Sequence, residues 1–282
     1  MSLRIIEWPS FLEGPGSLDS ASTAPPLEGS AMTIGVFDGV HLGHRELIQR
    51  IVSRGPNPTV ITFRENPKKI VSPASYEGDI FSLAQKLAAF DKLGVKRVIL
   101  IDFSEKFSKL SGKEFFNLLE DRGKMVFLAI GADFRCGYRQ DTDADIIREM
   151  NERKGIPTEV VPHVPLGGAN GTGPVSSSRI RFAILSGDLA LAAALMGRNV
   201  ELDLSDLCPL DFQSGDAGGQ VYDLRSVRRI VPAAGEYSVL MYPGGAGGRV
   251  NVENGKVFLP GRRTSERVER LEFLTGPESV NK

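Results

Sequence analysis

Apolar positions in the first two thirds of the chain fall into short continuous runs, separated by stretches with helical spacing. Residues 31–37 form one such run, broken abruptly at Asp38-Gly39, which is the pattern of a short buried strand. Leu47, Ile48 and Ile51 then recur at helical spacing within 44–52. The alternation repeats: 59–63 reads as a strand, 83–93 as an amphipathic helix closed by Gly94, and 97–102 as a strand. A helix around 113–120, a strand at 125–130, a helix at 143–154 and a strand at 158–161 continue the series. Two helices follow, at 177–185 and 189–196. Strands alternating with helices predict right-handed crossovers and an α/β fold whose parallel sheet is covered on both faces. Ligands of such sheets bind beyond the carboxyl ends of the strands, where strand order reverses. The loops after Phe37, Phe63, Asp102 and Ile130 are therefore expected to converge.

The pattern changes after Arg198. Glycine-rich breaks and short β-type runs take over, including 235–241, the alternating Val250 and Val252, and 257–259. This predicts two domains, 1–198 and 199–282, the second small and all-β. Residues 13–31, rich in Gly, Pro, Ser and Ala, read as a loop or lead-in.

Composition adds boundaries rather than detail. A 282-residue chain with 41% hydrophobic and 24% charged residues can bury a core without disulfides or structural metal. Its formal net charge of -1 provides no global field for nucleic acid or an anionic membrane. Cys136 and Cys208 lie far apart and make no metal-ligand spacing. The N-terminal residues lack the charge and apolar run of a signal peptide, and no stretch approaches the roughly 20 apolar residues of a membrane span. The expectation is a soluble, cytoplasmic protein with neither nucleic-acid nor membrane partners.

The chemistry-bearing signal is the segment Gly35, Val36, Phe37, Asp38, Gly39, Val40, His41, Leu42, Gly43, His44, at the junction of the first strong strand and its helix. Three glycines let backbone turn tightly against a phosphate chain, and a helix start offers unpaired N–H groups and a positive dipole end. Two of the chain's three histidines fall in this window. Imidazole donors there can stabilise charge that builds on a phosphate during displacement. A zinc site would need a third ligand that is not evident, and a Ser-His-Asp hydrolase would need a nucleophile elbow that is absent. A second segment, Val175 to Arg181, places Ser176, Ser177 and Ser178 at a helix start, with Arg179 and Arg181 as fixed charge suited to a triphosphate. In a third, Ile130 to Gly137, Asp133 is a candidate magnesium ligand and Phe134 a wall for a flat ring.

In this order and on this pattern, the three segments resemble the bacterial FAD synthetase family, the bifunctional riboflavin kinase and FMN adenylyltransferases. The resemblance covers about residues 31–200 and includes Ser82 to Leu87 and Leu195 to Arg198. It implies a Rossmann-like nucleotidyltransferase sheet with a small C-terminal β-barrel-like domain, transferring adenylyl from ATP to FMN with Mg2+ and releasing FAD and pyrophosphate. His41, His44 and Arg181 would then be catalytic. Gly35 to Gly39, His41, Gly43, His44, Ser176 to Ser178 and Arg181 would bind ATP. Phe63, Asn66, Asp133 and Phe134 would bind FMN. Two departures stand out. Where the family has Thr-Phe-acid-Pro-His-Pro, this chain reads Thr62-Phe63-Arg64-Glu65-Asn66-Pro67, so Asn66 replaces the histidine. The kinase domain's Pro-Thr-Ala-Asn is absent after Arg198, which implies that riboflavin phosphorylation is lost. A transferase with another acceptor, or a non-catalytic nucleotide-binding module, are the alternative readings.

Overall fold

The computed structural model describes residues 3–13, 29–167, 173–214, 217–262 and 266–275. Contacts divide the chain into two compact units: Met1–Phe37, Gly43–Ala74 and Lys86–Val164 in the first, and Asp38–Leu42, Ser75–Gln85 and Pro165–Lys282 in the second.

The first unit is built on six parallel strands in the order β1-β4-β3-β2-β5-β8. They are β1 (Arg4–Glu7), β2 (Ser30–Ile34), β3 (Thr59–Phe63), β4 (Arg97–Ile101), β5 (Met125–Gly131) and β8 (Thr158–Val161), with the short pair β6 (Arg135–Cys136) and β7 (Thr142–Asp143) between the last two. The chain steps outward from β2 through β3 to β4, then returns to place β5 on the other side of β2. Strand order therefore reverses at β2, the position where ligands of such sheets collect.

One face of the sheet presents Met32, Ile34, Ile61, Ile99, Ile101, Leu128 and Ile130 to a single apolar cluster. Trp8 and Phe11 of α1 (Trp8–Glu13), Phe115, Phe116 and Leu119 of α6 (Gly112–Asp121), and Ile147 of α7 (Ala144–Glu152) complete it. Residues of the opposite parity, Val60, Val98, Leu100 and Ala129, are fully buried too, as expected of a parallel sheet covered on both sides. Helices α2 (Leu42–Arg54), α3 (Lys68–Val71), α4 (Leu83–Lys92) and α5 (Glu105–Ser108) complete the crossovers. The β1–α1 pair is an addition that sequence patterning did not predict. The loop expected at 13–31 falls mostly on 14–28, outside the described residues.

In the second unit, the pair β9 (Pro165–Leu166) and β10 (Gly173–Pro174) precedes α8 (Ser177–Leu185) and α9 (Leu189–Met196). An antiparallel sheet follows, in the order β11-β17-β14-β15-β16-β13-β12. Its strands are β11 (Glu201–Asp203), β12 (Leu210–Ser214), β13 (Ala217–Asp223), β14 (Gly235–Tyr242), β15 (Ala246–Glu253), β16 (Lys256–Pro260) and β17 (Arg270–Phe273). The sheet curls. Tyr222 on β13 donates its hydroxyl to the Val268 carbonyl at 2.9 Å and accepts from the Val268 amide at 3.1 Å, just before β17. Three strands separate β13 from β17 in the sheet, so a flat sheet would hold them roughly 19 Å apart. The first strand of this sheet begins at Glu201. The second unit also takes in α8, α9 and the segments 38–42 and 75–85, which sequence patterning assigns to the first domain.

Candidate functional site

The loop between β2 and α2 is held in a conformation that its own residues do not favour. Phe37 and Val40 have positive φ, 53° and 37°, and both side chains are fully buried. Non-glycine residues persist in that region only when their surroundings over-determine them. At Gly39, with φ 78°, a Cβ would be strained and would also crowd the Ile80 side chain at 3.0 Å.

Within the second unit, Asp38 is the anchor. Its carboxylate is 5% exposed and accepts from the Ile80 amide at 2.9 Å and the Phe81 amide at 3.0 Å. It also pairs with Arg181, whose Nε donates to the Gly78 carbonyl at 3.0 Å. Burial pushes the Asp38 carboxyl up from its ordinary range; Arg181 and the two amides oppose that shift, while Asp79 adds to it. Ser177 donates its hydroxyl to the Asp38 carbonyl at 3.1 Å. Arg198 donates to the Val40 carbonyl at 3.1 Å and to that of Gly39, and its guanidinium lies over the Phe81 ring, 4.7 Å from the centroid. His41 is buried in the same unit. Burial first, then the charges of Arg198 and Arg181, push its imidazole down to about 4, so it is neutral at physiological pH.

Arg181 was expected to offer its charge to a triphosphate. The structure turns it inward, buried against Asp38 and the Gly78 carbonyl, because an uncompensated carboxylate at that depth would be costly. Ser176 caps α8 by accepting from the Arg179 amide, Ser177 ties the loop, and Ser178 is exposed. The fixed positive charge next to the loop backbone comes from Arg198, which the motif reading did not single out.

The first unit supplies the other candidates. Helix α2 starts at Leu42, so Gly43 and His44 lie in its first turn, and His44 packs edge-on against Phe37 with centroids 5.1 Å apart. A Cβ on Gly35 would meet the Phe37 ring at 3.2 Å. Lys86, buried on α4, donates to the Phe63 carbonyl at 2.8 Å, the Val36 carbonyl at 3.3 Å and the Thr62 hydroxyl at 3.4 Å. Thr62 in turn donates to Val36 at 3.1 Å. One ammonium therefore gathers the carboxyl ends of β2 and β3. Sequence reading missed it, although a lysine between Leu83, Leu87 and Phe90 on an apolar helix face was a legible signal.

Asn66 is buried, and its side-chain oxygen accepts from the Lys68 amide at 3.1 Å, forming the turn that leads into α3. Arg64 is half exposed and bridges Glu7 at 2.5 Å and Asp102 at 2.9 Å, joining the ends of β1, β3 and β4. Phe63 meets Phe103 and Phe107 edge-on, and Phe134 is half-buried against the central core cluster. Asp133 is exposed, with the His163 ring nitrogen 4.0 Å away. Among the described residues no three His, Cys, Asp or Glu side chains gather as a metal site, and no helix is long and apolar enough to cross a membrane.

Comparison with known proteins adds an independent line. A family model described as FAD synthetase matches residues 24–179. A bifunctional riboflavin kinase/FMN adenylyltransferase of Pseudomonas fluorescens is 30% identical over 220 residues, 76% of this chain and 69% of that protein. The protein of the same description from Escherichia coli (strain K12) is 30% identical over 177 residues, 61% of this chain. That match spans 55% of the relative's own length. A solved structure of a macrolide-efflux protein from Streptococcus pneumoniae superposes with a TM-score of 0.71 at 24% identity, covering 92% of this chain and 88% of that one. At that identity the likeness supports the architecture alone.

Proposed function

This chain belongs to the FAD synthetase family, and from that membership we propose that it transfers the adenylyl group of ATP to FMN. An FMN phosphate oxygen attacks the α-phosphorus of ATP, the bond to the β-phosphate oxygen breaks, and pyrophosphate leaves as FAD forms. A phosphate monoester is already largely ionised at neutral pH, so the attack needs no general base. The protein's work is alignment and neutralisation of charge.

One observation carries the reading: a glycine-bounded loop at the strand where sheet order reverses, fixed through Asp38 and Arg198, with a neutral buried imidazole at its end. Neutral His41 retains one N–H, which we assign to a phosphate oxygen of ATP. His44 and the amides of the first turn of α2 are assigned to the same phosphates. Asp38, Ser177, Arg181, Arg198 and Lys86 act as holders of backbone. Phe63, Phe134 and Asn66 are assigned to the flavin side by their matching positions in sequence. Magnesium would neutralise triphosphate charge. A cation that keeps water and substrate oxygens as ligands needs only one or two carboxylates, and the exposed Asp133 has the donor chemistry for that.

The test is direct. Purified protein with magnesium and ATP, given FMN, should yield FAD and pyrophosphate, separated by chromatography. His41→Ala should lower turnover by roughly a hundred-fold or more while leaving the fold intact, the cost typical of losing one preorganised donor. A near-normal rate in that variant would remove the role assigned to His41.

A further inference from the structure

We propose that Arg229 is a positioning residue for the phosphate loop, acting through residues 78–81 on the buried Asp38–Arg181 pair; this rests on the adenylyl-transfer reading. Every residue in the argument belongs to the second unit.

Residues 78–81 include the carbonyl and the two amides that hold Arg181 and Asp38, yet they belong to no helix and only Asp79 makes a β-bridge. Their shape must come from outside. It comes from the linker between β13 and β14. The Asp79 amide donates to the Arg228 carbonyl at 2.9 Å, the Ile230 amide donates to the Asp79 carbonyl at 3.0 Å, and Asp79 pairs with Arg229 as a parallel bridge. Gly78 fits that approach because it lacks a side chain: at φ 127°, a Cβ would stand 2.6 Å from the Arg228 carbonyl oxygen.

Arg229 fixes the linker in turn. Its side chain is 7% exposed, and its guanidinium donates to both carboxylate oxygens of Asp206, at 2.6 and 2.5 Å, and to the Asp203 carbonyl at 2.6 Å. A planar fork bonded at three points is a rigid tie. A second tie supports it: Ser82 donates its hydroxyl to the Asp203 carboxylate at 2.5 Å. The path therefore runs from the start of the antiparallel sheet, through Arg229 and Asp79, to the amides of Ile80 and Phe81 and so to Asp38. The Arg229 guanidinium bonds Asp203 and Asp206, neither of them assigned to ATP or FMN, so the effect on turnover assigned to it is indirect. The C-terminal sheet thereby gains a role in the transfer site without needing kinase residues of its own.

The experiment compares the full chain with Arg229→Met, Arg229→Lys and Asp206→Ala, the last removing the bidentate bond at a half-exposed side chain. FAD formation is measured as kcat and as KM for ATP and for FMN, and amide hydrogen exchange is followed at 38–41 and 78–81 against β5 as reference. In Arg229→Met, kcat/KM for ATP should fall on the order of ten- to hundred-fold, the scale of a small misplacement. KM for FMN should hold, exchange should accelerate at 38–41 and 78–81 but not in β5, and Arg229→Lys should recover part of the loss. Unchanged ATP kinetics and unchanged exchange at 38–41 would reduce Arg229 to a local stabiliser and overturn the proposal. If Arg229→Met fails to fold, Asp206→Ala decides by the same two readouts. If the unmodified chain makes no FAD, the function proposed above fails, and the exchange comparison still judges Arg229.

Discussion

Removing the Arg181 guanidinium would leave the Asp38 carboxylate buried without that counter-charge, with the Ile80 and Phe81 amides still bonded to it. Breaking one side of such a pair costs about 3–5 kcal/mol. Arg181→Met is therefore expected to lower the unfolding free energy by about that amount, and Asp38→Asn in the same chain should restore part of it; chemical denaturation measures both. His41 makes a separate prediction in pH. Its folded value lies near 4 against 6.5 for a free imidazole, so the unfolded chain binds a proton first as pH falls. The stabilisation is present above pH 6.5 and is lost as pH drops towards 4, up to about 3 kcal/mol, and denaturation midpoints across that window should show it. The same shift predicts that His41 contributes no inflection to adenylyl transfer between pH 6 and 8. Much of this was beyond sequence reading for a physical reason. Asp38 is bonded to backbone amides, which every residue has, and Arg198 reaches carbonyls that lie far back along the chain.

At the level of elements, legibility followed the source of stability. The strands 59–63 and 158–161 and the helices 177–185 and 189–196 have the boundaries that patterning predicts, because each carries its own apolar period and punctuation. Helix α9 shows the punctuation at work. Gly197 closes it at φ 70°, the left-handed C-cap, and its amide donates to the Ala193 carbonyl. Gly197→Ala should cost about 1 kcal/mol in thermal or chemical unfolding, from backbone alone. It should also weaken ATP binding, because Arg198 is the next residue. By contrast β1 is four residues long and owes its state to the edge of β4, with Arg64 bonding its Glu7. No local period announces such a strand. The glycine-rich β13 was missed for a related reason: its pairing with β12 and β16 supplies what its own side chains do not.

For the whole molecule, the parallel sheet, the all-β region and their order in the chain were legible, while the grouping of segments into compact units was not. Residues 38–42 and 75–85 interrupt the first unit in sequence and belong with the second through long-range bonds. The C-terminal sheet keeps its curl and its buried Tyr222 clamp but has no Pro-Thr-Ala-Asn after Arg198. The expected outcome is FAD from FMN but no FMN from riboflavin, with ATP and magnesium present in both assays. Appearance of FMN would show that the curled sheet phosphorylates flavin with residues other than that motif.

Phe37 and Val40 sit in left-handed backbone with nothing in their own chemistry to keep them there. Excised as a ten-residue peptide, the stretch from Gly35 to His44 would relax into ordinary extended conformers. Grafted between a strand and a helix of an unrelated parallel sheet, its residues 38–42 would still need counterparts of Ile80, Arg181 and Arg198. What is inherited as a short signature works only as a neighbourhood.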